Sequence, residues 1–378
     1  MDDESAEQYR MPGPEVTYTL FRRWQKARRG TVPAEDMTNP VWEWLFRGRI
    51  DPYHANELFK DRSSQFLGVP DVPSEPRWAG CRMGQSRTEL SDGRVFWIAG
   101  EHEDYYDPDF FIYNDVIVEY PHRELQIIGY PVETLRPTDF HSATATPSED
   151  AILIIGSIGY PGDRREGVTP IYSLRTDSLA IAEVESFGNQ PGWIHKHHAS
   201  LSEDGLSIVV HGGEVLTSEG FIENIDEWSL SLADFRWSRL TMRKWPRFQV
   251  ARADGMRLHL FEYETLEFHQ QFPGIGGHDE YSLASELGAE PNMAAFQSLY
   301  TPSIEHEVVS PNPENNNDWR SKRIFVRGVM VRFTEDMNLL TATVEGDLDR
   351  STVEALALEM QHKLELIEHA DCLLKWIS

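Results

Sequence analysis

The sequence predicts a mainly β fold: a propeller-like array of three four-stranded units with helical N- and C-terminal flanks. Three observations predict it. One pattern recurs three times at a period of 56 residues without a gap. Each copy divides into four short strand-type runs bounded by Gly, Pro, Asn and Asp. Helical spacing of apolar residues is confined to the two ends of the chain. The chain accordingly divides into a helical N-terminal region (1–80), repeats (81–248), a further β region (249–345) and a C-terminal helix (346–378).

In the N-terminal region, Val16, Leu20, Trp24 and Ala27 follow helical spacing, and PVWEWLFRGRI opens on a proline suited to a first helical turn. The repeats are anchored by Gly100, Gly156 and Gly212, each after an apolar run. Sixteen residues on lie Val116, Tyr172 and Trp228, then Val118, Leu174 and Leu230, then Leu125, Ile181 and Trp237. Upstream, Ser86 matches Ser142 and His141 matches His197. Strand a is expected near 86–90, 142–146 and 198–202, and strand b is the run that ends at the glycine. Strands c and d come next, in FFIYNDVIVEY and ELQIIGY, TPIYSLRT and LAIAEVES, and DEWSLSLA and FRWSRLT. Four antiparallel strands every 40–60 residues describe a propeller blade. Residues 249–345 hold more strand-like runs (RLHLFEYETLEF, SIEHEVV, RIFVRGVMVRF, LLTATVE) outside the register, read as degenerate blades or a packed sheet. Ser351-Thr352-Val353-Glu354 reads as a capping box for a helix with Val353, Leu356, Met360, Leu364, Ile367 and Leu374 on one face.

The middle of the chain resembles the kelch-repeat, galactose-oxidase-type β-propeller family. The residues that carry the resemblance are His141-Ser142-Ala143 opening a unit, Gly212-Gly213 closing strand b, Tyr113-Asn114-Asp115-Val116 opening strand c, and Trp237 on strand d. It covers about residues 81–248 and departs from the family in having one double glycine and three clear units. The resemblance implies blade-to-blade hydrogen bonding for the histidine column of His141 and His197.

Charge narrows the function. The 378 residues carry 35 Lys+Arg and 62 Asp+Glu, net -27, of which residues 81–240 contribute -16. Such a surface repels phosphate backbones and steers cations and basic proteins toward itself. Nucleic acid is therefore excluded as a partner. No run approaches the roughly 18 apolar residues of a membrane helix, and MDDESAEQYRMPGPEV lacks the pattern of a secretory leader. Two distant cysteines, Cys81 and Cys372, fit a reducing cytoplasm.

Strands b and d of a blade run the same way, so the b–c loops (about 101–111, 157–169, 213–224) and d–a loops (about 131–140, 187–196) should share one face. The first b–c loop, GEHEDYYDPDFF, interleaves acids with rings: Glu101, His102, Glu103, Asp104, Tyr105, Tyr106, Asp107 and Asp109. Rings give rigid contact area and carboxylates match arginine, so this composition suits a basic protein surface. Arg164, Trp193, His195 and Glu214 complete the expected partner-binding set. The alternative is a metal shell of His102, His141, His195 and His197, because His195 and His197 at i, i+2 on an extended segment point the same way. Gly274-Ile275-Gly276-Gly277-His278 lacks a preceding strand and is no phosphate cradle. There is no GxSxG, HExxH, CxxC or P-loop, and no cofactor is expected. The expectation is a cytoplasmic protein-binding module for a basic partner, with an immunity or inhibitor protein as its sharper form. The alternatives are a metal-dependent enzyme on the same face, or a scaffold that self-associates through its terminal helices. The oligomeric state stays open.

Overall fold

A computed structural model describes residues 16–51, 54, 55, 58, 76–102, 110–122, 124–218, 220–272, 280–309 and 321–377. The chain is mainly β, with several antiparallel sheets, and divides into two compact units, Met1–Met242 and Arg243–Ser378. Among the described residues no helix is long and apolar enough to cross a membrane.

The first unit opens with α1 (Tyr18–Trp24) and α2 (Pro40–Gly48). The Asn39 side chain caps α2 by accepting from Val41 N at 3.2 Å and Trp42 N at 3.0 Å, and Pro40 fills a position where no N–H is needed. The buried face of α2 carries Trp42, which stacks on Trp78 at 5.0 Å, and Leu45 and Phe46. These side chains share a core with Ile117, Leu125 and Ile127 of the first sheet.

That sheet comprises β1 (Glu35–Asp36), β2 (Ser86–Glu89) and β3 (Val95–Ile98), then, after a short stem of β4 (Glu101–His102) and β5 (Phe111–Ile112), β6 (Asp115–Glu119) and β7 (Leu125–Gly129). Its order is β1-β7-β6-β3-β2, all antiparallel. The second sheet is a meander of β8 (Ser142–Ala145), β9 (Ala151–Ile155), β10 (Ile171–Arg175) and β11 (Ile181–Glu183). Next come β12 (Phe187–Gly188), β13 (Ile194–His195), β14 (His198–Leu201), β15 (Ser207–His211), β16 (Glu214–Thr217), β17 (Gly220–Glu223), β18 (Glu227–Ser231) and β19 (Arg236–Arg239). The third sheet has the order β12-β19-β18-β15-β14, while β13, β16 and β17 form a small sheet of their own. The a, b, c and d runs read from the repeat are thus β2-β3-β6-β7, β8-β9-β10-β11 and β14-β15-β18-β19.

The three sheets stack face to face. One core holds Phe96, Ile98, Val116 and Val118 of the first sheet with Ile152, Ile154, Tyr172 and Leu174 of the second. Another holds Leu153, Ile155 and Ile171 of the second with Ile208, Val210, Trp228, Leu230 and Trp237 of the third. Successive side chains of β9 face opposite cores, so its sequence is an unbroken apolar run. β15 and β18 instead alternate: Val209, His211, Ser229 and Ser231 point away from the core that their neighbours fill. Hydrogen bonds join the sheets at repeat-related places. Ser86 Oγ lies 2.7 Å from His141 Nε2, and Ser142 Oγ lies 2.8 Å from His197 Nε2. In the third unit that serine column holds His198, which stacks on His211 at 5.4 Å instead.

The b–c register repeats at 56 residues throughout, with Val95↔Glu119, Ala151↔Arg175 and Ser207↔Ser231. Strand d of the first unit breaks from it. Val118 faces Gln126, whereas Leu174 faces Ile181 and Leu230 faces Trp237. The first c–d turn is one residue longer, so Leu125 leaves its expected column and joins the core under the helices. Glycine is required where loops meet strand ends. A Cβ on Gly156 would lie 2.2 Å from Ile194 O, and one on Gly213 would lie 2.3 Å from His195 O; both residues have positive φ.

The second unit corrects the expected division into a β region and a separate C-terminal helix. Its elements are β20 (Arg247–Arg252), α3 (Leu260–Gln271), α4 (Glu280–Leu287), α5 (Met293–Gln297), β21 (His306–Val309), β22 (Ser321–Val326), β23 (Val329–Glu335), β24 (Leu339–Val344), α6 (Arg350–Glu368) and β25 (Cys372–Ile377). One six-stranded antiparallel sheet, β21-β22-β23-β24-β20-β25, draws strands from both regions and shares a core with α3 and α6. RLHLFEYETLEF is therefore mostly helix rather than strand: Leu260, Tyr263 and Leu266 bury one face, and the run is rich in Leu and Glu, which lose little rotamer freedom in a helix. Helix α6 buries Val353, Leu356, Met360, Leu364 and Ile367 as expected, but its N-cap is Asp349, which accepts from Thr352 N at 2.9 Å, rather than Ser351. Leu374 belongs to β25. The Gly274–His278 loop lies outside the described residues.

Candidate binding rim

The b–c and d–a loops of the first unit meet at one end of the stacked sheets. Glu101 and His102 form β4, which pairs with Phe111 and Ile112 of β5. The base of this stem is fixed from several sides. Glu101 exchanges backbone hydrogen bonds with Met83, with Glu101 N donating at 2.8 Å and Met83 N at 2.9 Å. Ile112 N donates to Tyr160 Oη at 2.9 Å, and Arg29 donates to Ile112 O at 3.1 Å. Phe110, which is exposed, meets the Tyr160 ring edge-on at 5.8 Å. Glu103, Asp104, Tyr105, Tyr106, Asp107 and Asp109, which the stem carries, lie outside the described residues.

The second b–c loop is gripped by its neighbours. Arg136 and Asp163 form an ion pair at 3.0 Å. Arg164 donates from Nε to Ile158 O at 3.0 Å and from Nη2 to Gly159 O at 2.9 Å, and its guanidinium lies 5.1 Å from the Phe221 ring. Trp193 is buried and donates from Nε1 to Ile158 O at 3.2 Å. It fastens two loops together and offers no contact face, contrary to the expectation for it. Strand β13 pairs with β16 and buries His195 against Phe221 at 4.4 Å. Glu214, whose side chain is 43% exposed, does face outward. Glu214 Oε2 comes within 3.2 Å of His195 Nε2 without aligning as a hydrogen bond, so burial outweighs it. Burial, then nearby Lys196, pushes His195 down to about 3.

Among the described residues, no three His, Cys, Asp or Glu side chains are placed to hold a metal. His141 and His197 are instead bound to serines of neighbouring sheets, and His102 is buried in the stem. Burial, then His197, pushes His141 down to about 3, and burial, then His198 and His211, does the same to His197. His141 and His197 are therefore neutral at pH 7, as hydrogen-bonding partners buried between apolar sheets must be.

Asp139 escaped the sequence reading. It is fully buried, its Oδ1 accepts from Gly159 N at 2.7 Å and from Ser157 Oγ at 3.1 Å, and burial raises its pKa. Arg136 and Phe221 were likewise missed. Asp139 and His195 occupy the same repeat column, which was the one signal available.

No protein-family model and no curated protein matches the chain. Among solved structures it is similar to one described as "Structure of YjhT", at 13% identity and a TM-score of 0.33, over 46% of this chain and 58% of that one.

Proposed function

We propose that residues 81–242 form a kelch-like propeller array whose rim docks a basic protein partner. The observation that carries this reading is the β4–β5 stem, which holds both ends of the acid and aromatic segment 103–109 on a braced base. The base is tied to Met83, Arg29 and Tyr160, each from a different part of the unit. Braced ends lower the ordering cost of docking, and rings among carboxylates match arginine-rich surfaces. The -16 charge of residues 81–240 supplies the steering. The kelch-like reading is supported by three successive sheets, each built on a four-stranded antiparallel meander, and by the repeated Ser–His contacts between them. Within this class we favour an immunity or inhibitor protein that neutralises a basic toxin or nuclease in the cytoplasm. The compartment suits the two cysteines, exposed Cys81 and buried Cys372, which are free thiols.

The test is a pull-down from the native organism's lysate with the full chain and with its Tyr105→Ala/Tyr106→Ala variant. The wild type should recover a basic protein and the variant should not, with the melting temperature of the variant unchanged. Equal recovery by both, or recovery of nothing, overturns the reading.

A further inference from the structure

Helix α3 carries a second apolar face. Leu260, Tyr263 and Leu266 bury one side of it in the core of the second unit. Tyr263 Oη donates to Ile367 O at 2.8 Å and accepts from Asn292 N at 3.0 Å, which fixes the rotation of the helix. On the opposite side Phe261, Phe268 and Phe272 are 68%, 46% and 50% exposed. With Thr265 they follow spacings of four, three and four residues, inside about 60° of helical arc. Phe272 N donates to Phe268 O at 2.9 Å, so the helical path reaches the last ring. Thr265 Oγ1 donates to Phe261 O at 2.8 Å, which satisfies its hydroxyl within the helix. Alternation of four and three is the seam of paired helices, and a helix apolar on both sides is normally covered on both.

We propose that this seam pairs with the same seam of a second copy of the chain, antiparallel, in a two-fold dimer. Two observations choose that occupant. The seam is self-complementary: reversed on itself, it sets Phe261 opposite Phe272 of the second copy and Thr265 opposite Phe268, so every layer holds a ring. A parallel pair would set Thr265 against itself. The acids beside the seam are also already engaged, which leaves a basic partner little to gain from them. Glu264 meets Lys322 Nζ at 3.1 Å, Glu262 and Glu286 meet Arg257 at 2.6 and 2.7 Å, and Glu267 accepts from Gln297 Nε2 at 3.0 Å. In the antiparallel register Glu264 comes opposite Gln271 and Glu262 opposite His269, so no like charges are forced together. Exposed Met256 and Met337 add apolar surface at the N-terminal end of α3, where Leu258 N donates to Met337 O at 2.7 Å.

The test is sedimentation equilibrium of the full chain between about 1 and 100 µM, the range of a small interface. The wild type should pass from monomer to dimer in that range. Phe268→Gln should weaken the dimer about tenfold or more, with an unchanged melting temperature at high dilution. Exposed Gln271 tests the register. Gln271→Lys should tighten the dimer about threefold and Gln271→Glu should loosen it about threefold, because each change meets Glu264 of the second copy twice. The dimer should also tighten as salt rises from about 50 to about 300 mM, since two chains of net -27 repel. Docking of a basic partner has the opposite salt dependence, so the two readings fail separately. A wild type that stays monomeric to about 100 µM leaves the stripe to a different protein and overturns the dimer. A dimer that Phe268→Gln leaves intact is built elsewhere and overturns it equally. Should that variant fold poorly, the two surface variants decide alone: Gln271 changes that shift the dimer in the same direction, or not at all, overturn the antiparallel pairing.

Discussion

At the scale of the residue, buried polar groups decide what the first unit tolerates. Arg82 and Asp115 form a bidentate pair at 2.5 and 2.9 Å, with side chains 0% and 3% exposed, and Trp78 Nε1 adds a third bond to Asp115 at 3.2 Å. Removing one member strands the other without solvent. We expect Asp115→Ala to cost about 3–5 kcal/mol, measured as a shift in the urea midpoint, and a cost below about 1 kcal/mol would contradict the pairing. The neutral histidines set an acid limit. His141, His195 and His197 sit at about 3 when folded against an ordinary 6.5. Because the folded values are depressed, the unfolded chain takes up protons that the folded chain refuses as pH drops below 6.5. Their stabilisation is therefore complete above 6.5 and is lost toward 3, at up to about 1.4 kcal/mol per pH unit for each ring. Urea unfolding between pH 7 and 5, above the range where most carboxylates titrate, should show this slope, and a flat profile there would refute it. The histidine column was legible from the repeat. Asp139 was not, because one acid among 62 has no local signature and its burial is imposed by loops distant in sequence.

At the scale of the element, the sheets differ in how many faces they bury, and substitutions should report it. Trp237 is 2% exposed in the core between the second and third sheets, and Trp237→Ala should cost about 3–5 kcal/mol. Its neighbours on the other face should behave differently: Ser229→Thr should stay within about 0.5 kcal/mol. Equal effects at the two positions in thermal unfolding would mean that the third sheet is buried on both sides. The runs for all twelve repeat strands were readable because the alternation or continuity of apolar residues reflects which faces are covered. The one-residue shift of β7 was hidden, since a longer turn leaves the strand's composition intact and alters only what it faces. In the second unit, α3 was misread because short apolar runs suit either period, and only the shared core with β20 and α6 decides between them.

At the scale of the whole molecule, the -27 charge makes any docking to a basic partner dependent on salt. Association should slow about tenfold or more between 50 and 300 mM salt, in stopped-flow or surface-plasmon measurements, with dissociation changing far less. A rate insensitive to salt would remove steering from the account. The division at Met242 was only partly legible: the loss of the 56-residue register marked the place, but the sequence left open whether degenerate blades came after it. Beyond Met242 the chain forms a sheet with its own helices. The replacement of the inter-sheet serine by His198, together with the serines on the far side of β18, bears on protein engineering. Copying the third unit to lengthen the array would graft a hydrophilic wall onto an aliphatic one, so a viable fourth module must be templated on the second, with a hydroxyl restored at position 198 and branched hydrocarbons in place of Ser229 and Ser231.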